Sequence, residues 1–436
     1  MMRSMYSGVS GLRIHQTKMD VIGNNIANVN TVGFKSSRVT FSEVFSQTIQ
    51  GASGASENTG GRNPMQIGLG SSISSVDIDM GEGAAQRTDN PLDLKIEGDG
   101  FFVVSDITGN KFTRAGAFRI DEAGNMVNPE GLNVMGWKAD PATGEIQKGQ
   151  VQPIQVLNPV NLYSEPTATS NITLSGNINI NDTQLSDPAG VPFTANFYDS
   201  LGYRYTAEFR MTNLPVANAN QFTITLTDAS ITDANGNVGV ATGLAPIAQV
   251  IEFNPATGKI NVVAPATGTF DMTNMVTPFS TFSTISVDFS DLTLFAGNTT
   301  IEGMAGDING LGSGNQAGSI SGFEVGGDGK VIGRYTNGQT KLLGQIVVAA
   351  FQNPAGLQKV GSNLFVATTN SGDFDGLGQD ITSRGGSFNS GVLEMSNVDL
   401  SREFTEMITT QRGFQANSRI ITSSDELLQE LVNLKR

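Results

Sequence analysis

Apolar side chains recur every seven residues at both ends of this 436-residue chain. Met5, Leu12, Met19 and Ile26 form one ladder. Leu400, Met407, Phe414, Ile421 and Leu428, with Phe404 among them, form the other. A seven-residue repeat returns to one side of a helix, so each ladder presents a continuous seam to a neighbour. The long stretch between them has almost no helical period. Such a chain leaves a helical zone, builds something else and returns, so its ends must meet each other or be handed to further subunits.

The interior reads as β structure. Glycine (52 residues) and abundant Asn, Ser and Thr belong to a turn-rich protein of short strands, and the length calls for two to four domains. From about residue 76 the apolar period becomes two, with turn signals at Asp99-Gly100, Gly109-Asn110 and Gly124-Asn125. Further strands are expected at 172–180, 193–198, 203–211, 222–226, 250–253, 260–263 and 285–289, and again at 331–335, 345–351 and 364–367. The Gly-rich stretches 50–61 and 303–314 read as flexible crossings. The fold class expected is mixed and mainly β: N- and C-terminal helices pairing as a coiled-coil-like domain, plus two nested antiparallel β-rich domains. Residues 1–30 with 395–436 would form the helical domain and 31–75 an extended linker. Residues 76–157 with 318–394 would form an inner β domain, and 158–317 an outer inserted one.

Catalysis has no foothold. The chain has no cysteine and one histidine, His15, so thiol chemistry, zinc clusters and a Ser-His triad are out of reach. Gly258-Lys259 and Gly329-Lys330 lack the rest of a phosphate-binding loop, and Asp77/Asp79 and Asp373/Asp375 lack a calcium loop. No catalytic, metal or cofactor site is expected. The net charge is −15, and residues 158–317 set Arg204, Arg210 and Lys259 against thirteen acids. Such a surface repels nucleic acid and anionic membrane. The apolar run at 346–351 is far below the ~20 residues that span a bilayer, so no membrane insertion is expected. The N-terminus lacks the apolar core of a secretory signal.

The ladders themselves leave two readings open, a helix pair within one chain or a seam between chains. Gly8, Gly11 and Gly23 each weaken the first helix by ~1 kcal/mol relative to Ala. Gln16, Gln411, Ser418 and Asp425 place polar groups along both seams. Both features favour helices that order among several neighbours.

The flanking segments resemble the flagellar axial, rod-and-hook protein family. Ser10 to Asn28 looks like that family's first helix, and Ala27-Asn-Val-Asn-Thr-Val-Gly-Phe-Lys35 is similar to the signature that ends it. Within that signature Ala27, Asn28, Thr31, Gly33, Phe34 and Lys35 are the matching positions. The segments 91–103 and 112–118 resemble the start of the inner β domain, and 396–400 and 409–417 the last helix. The resemblance covers both ends and the inner domain; the outer domain matches only through 197–202. It implies a non-enzymatic subunit that polymerises with its own copies into a flexible curved tube and couples motor torque to the filament. The terminal helices would line a central channel, and the Gly-rich crossings would let domains tilt as the tube bends. It also implies export through the flagellar type III apparatus to an extracellular site without signal cleavage, with Phe41 and Phe45 as the Phe-x-x-x-Phe export-gate motif. The implied partners are the distal rod, hook cap and hook–filament junction proteins. A straight rod subunit, or a β-rich surface adhesin or glycan-binding protein using 172–302, are the competing readings.

Overall fold

The computed structural model describes residues 2–54, 60–140, 143–214, 220–227, 230–237, 247–261, 267–270 and 284–434. Residues 55–59 of the first Gly-rich stretch, 262–263 of an expected strand and 435–436 of the last helix lie outside them. The fold is mainly β with a helix at each end: α1, Met2–Ala27, and α2, Leu400–Asn433. Asp399 caps α2, its carboxylate accepting from the backbone N–H of Ser401 and Arg402.

The chain divides into two compact units, 1–158 with 323–333 and 341–436, and 159–322 with 334–340. In the first, Phe101–Asp106 is paired with Gly109–Thr113 on one side and Asn133–Lys138 on the other, all antiparallel. Phe101 and Phe102 alternate across that sheet and both are buried. Phe101 meets Phe351 and Phe365 edge-on, while Phe102 stacks on Phe388 at 5.7 Å. Strands from early in the chain pair with strands that return late: Leu94–Glu97 with Ser387–Ser390, and Ala85–Arg87 with Val392–Glu394. These pairings carry the chain back to the base of α1 just before α2 begins.

The stretch expected as an extended linker is paired. Ser37–Glu43 runs antiparallel to Ser71–Ile78 with a bulge at Thr40/Phe41, and Ser46–Gln50 antiparallel to Met65–Gly68. The apolar residues there stay largely exposed, so no strong inside–outside alternation marks the ribbon in the sequence.

The second unit is built on strands whose alternate side chains point inward, as in Val191–Tyr198 and Gln221–Leu226. Phe193, Phe197, Phe209, Phe222, Phe253 and Phe289 fill its core. Among the described residues its pairing is antiparallel except for Asn171–Asn177, which lies parallel to Ile285–Thr293 and antiparallel to Thr300–Ala305. A parallel pair needs a long crossover, and the intervening chain supplies it. The expected flexible crossing at 303–314 is instead ordered within this unit. Its first residues complete Thr300–Ala305. Asp307 then closes a turn by accepting from the N–H of Asn309 and Leu311, and Thr169 Oγ1 donates to the Ser313 carbonyl at 2.9 Å. Gly306, Gly310, Gly312 and Gly314 take positive φ and serve turn geometry here.

Candidate functional site: the terminal helix pair and the ionic knot at its base

α1 and α2 pack antiparallel: Gly8 faces Asn417 and Ile421, His15 faces Gly413, and Lys18 reaches Glu406 at 3.2 Å. The line of closest approach on α1 is Gly8, Gly11, Ile14, Ile22 and Asn25, all buried. A Cβ at Gly11 would lie 2.5 Å from Asn417 Nδ2, so this glycine is a packing device. Met5, Leu12, Met19 and Ile26 flank that line and are partly buried. On α2, Met407, Phe414, Ile421 and Leu428 are partly buried, whereas Leu400 and Phe404 are exposed. The offset has a geometric cause: a straight helix drifts by ~20° per seven residues, and glycines draw the partner to their own side.

The pair is thin. Ile14 and Ile22 are the only buried apolar side chains on the two helices among the described residues, and α2 buries Thr410 and Ser424 instead. Tyr6 (69% exposed), Phe404 (50%), Ile408, Leu427, Leu431 and Leu434 face outward. So much exposed apolar surface on two paired helices marks an interaction face.

At the base of the pair lies an ionic knot. Lys35, 1% exposed, donates from Nζ to Glu394 Oε1 at 2.6 Å and to the Gly81 carbonyl at 2.8 Å. Glu394 is fully buried. It also accepts from Gly83 N–H at 3.1 Å and faces Arg114 at 3.5 Å. Arg114 in turn donates to the Gly98 carbonyl and lies over the Phe101 ring. Burial pushes the Lys35 ammonium below its ordinary pKa, against the pull of Glu394. Gly33 adopts φ +69°, where a Cβ would strike the Ala115 backbone at 2.6 Å, and its N–H donates to the Glu394 carbonyl. Lys359 covers the Phe34 ring and donates to the Lys35 carbonyl.

Two asparagines extend the knot into the helices. Asn25 exchanges hydrogen bonds with Ser37 through its N–H and carbonyl and donates to Glu403 on α2. Burial raises the Glu403 pKa, while Asn25 lowers it less strongly. Asn397, just ahead of α2, accepts from Ser36 N–H and donates to the carbonyls of Asp79 and Gly81.

Of the signature residues, Gly33, Phe34 and Lys35 enter the knot, and Asn28 and Thr31 form the turn after α1. Ala27 ends the helix and is exposed. Phe41 and Phe45 lie on the ribbon, the second 73% exposed; Phe41 meets the His15 ring edge-on at 6.3 Å. Glu394, Arg114, Asn25 and Asn397 do not stand out from sequence. Their one signal is a charged or amide residue inside otherwise apolar or signature segments.

The chain matches three family descriptions: "Flagella basal body rod protein" over residues 5–35, "Flagellar hook protein FlgE/F/G D1 domain" over 95–186, and "Flagellar basal body rod FlgEFG protein C-terminal" over 389–434. The flagellar hook protein FlgE of Borreliella burgdorferi is 37% identical over 462 aligned residues, covering 100% of each chain. This chain belongs to the flagellar FlgE/F/G hook and rod protein family. The Treponema pallidum hook protein FlgE is 34% identical, and the Bacillus subtilis basal-body rod protein FlgG 33%, each again covering 100% of both chains. The knot thus joins the segments that two of the three matches delimit, 5–35 and 389–434.

Proposed function

We propose that this chain is the structural subunit of a bacterial flagellar hook, a flexible curved tube that couples motor torque to the filament. The observation that carries the reading is the helix pair, which among the described residues buries two apolar side chains and leaves many more exposed. Burying a Leu or Phe contributes ~1.5–3 kcal/mol. Copies packed side by side therefore stabilise helices that a single chain holds only weakly. In this reading Met5, Leu12, Met19, Ile26, Leu400, Phe404, Met407, Phe414, Ile421 and Leu428 supply the polymerisation seam around a central channel. The acidic composition of the second unit suits exposure to solvent.

Family membership also supports a non-enzymatic role and a place in the flagellum. The finer partners belong to the same proposal: the distal rod protein below, the hook cap protein during growth, the hook–filament junction protein above, and the type III export apparatus before assembly. Phe41 and Phe45 suit an export contact because both rings are accessible on the ribbon. The FlgG relative keeps a second reading, a straight rod subunit, in view. Electron microscopy of purified chain driven to assemble separates the two. Curved, bendable hollow tubes are the expected result, and straight, stiff tubes would replace the hook reading with the rod reading.

A further inference from the structure

Lys35, Ser36 and Ser37 are consecutive, and each is gripped from a different side. Lys35 is held by Glu394 on the strand that leads into α2, Ser36 by Asn397 at the mouth of α2, and Ser37 by Asn25 on α1. Asn25 then crosses to Glu403, closing a loop through both helix bases. We propose that Lys35, with Asn25 and Asn397, is a positioning clasp: it sets the direction in which both terminal helices leave the first β unit, and so the geometry of the polymer. The proposal rests on the assembly reading above.

Hydrogen-bond satisfaction around Lys35 separates positioning from stability. Without the Lys35 ammonium, Glu394 Oε1 keeps Gly83 N–H, Oε2 keeps Arg114, and the Gly81 carbonyl keeps Asn397. Arg114 and Glu394 would remain as a pair, with the Glu82 charge nearby. Losing one partner of a buried pair is ordinarily destabilising, and the pair that remains offsets part of the loss. Lys35→Met should therefore lower β-unit melting far less than Glu394→Ala while freeing the helix bases.

Two readouts test this. The chain has no cysteine, so Ile107→Cys and Thr405→Cys place spin labels on the first β unit and on α2, both at exposed positions. In the free subunit the label-to-label distance distribution should be narrow with Lys35 present and clearly broader in Lys35→Met and in Asn25→Ala. In assembly assays the same variants should raise the critical concentration roughly tenfold or change tube curvature, with β-unit melting lowered far less than in Glu394→Ala. Equal distance distributions in variant and parent would overturn the clasp, as would a loss of β-unit melting in Lys35→Met as large as that in Glu394→Ala, which would make the knot a stability element. Failure of the parent chain to form tubes would count against the assembly reading alone, because the distance measurement needs no polymer.

Discussion

Glu394 is the residue on which most of the knot converges, and its removal differs in kind from removal of Lys35. Glu394→Ala leaves Lys35 and Arg114 buried without the carboxylate that pairs with both. Breaking a buried pair from that side costs roughly 3–5 kcal/mol. Urea denaturation of the variant should show that loss in the first β unit, while Lys35→Met shows far less. Lys35 could be picked out from the signature, whereas Glu394 could not, because the two lie 359 positions apart and no local pattern couples them. A second residue-scale expectation concerns His15. Burial, and then the nearby Lys18 charge, hold its imidazole below the ordinary 6.5. The unfolded chain then binds a proton that the packed helices do not, so helix-pair stability rises with pH through that window and falls on acidification below 6.5. Since His15 is the only histidine, tube melting followed by light scattering should lose this acid-side slope in His15→Gln. Retention of the slope would move its origin to Glu406, whose carboxyl Lys18 and Arg402 hold below its usual pKa against the opposing effect of burial.

Among the elements, the glycines of α1 have separate roles. Gly11 sits against Asn417, whereas Gly23 has nothing within 4 Å of where its Cβ would be. Gly23→Ala should stabilise α1 by about 1 kcal/mol. Gly11→Leu should push α2 away and lower helix content by circular dichroism in subunit and tube alike. An equal response from both variants would contradict the packing role of Gly11. Sequence reading weighs these glycines only as helix weakeners, because the partner that makes Gly11 useful lies some 400 positions onward. The same limit hid the ribbon of 37–50 and 65–78. Its strands expose most of their apolar residues, so their period is faint until the pairing itself is visible. Strands with one face in a core are the opposite case: Val191–Tyr198 and Gln221–Leu226 read directly from alternation. The expected flexible crossing at 303–314 reads wrongly for a third reason, since glycines at turn positions look like a linker by composition alone.

For the whole molecule, helices that start at Met2 and Leu400 meet because late strands pair with early ones and deliver α2 to the base of α1. The ladders indicated that the ends belong together and that their apolar seams want neighbours. Which side of each helix faces inward depended on Gly8, Gly11 and Gly413, and what anchors the pair depended on contacts between distant segments. The central claim is that the terminal helices are completed by other copies of the chain. Leu428 tests it well, because it stands two turns beyond Ile421, near the free tip of the pair and away from the knot. The decisive measurement is sedimentation of assembled material formed by Leu428→Asp beside the parent, with β-unit melting recorded on the same samples. Tubes from the parent, none from the variant, and identical melting are expected. Normal tubes from Leu428→Asp, or equal loss of tubes and of β-unit melting, would contradict it.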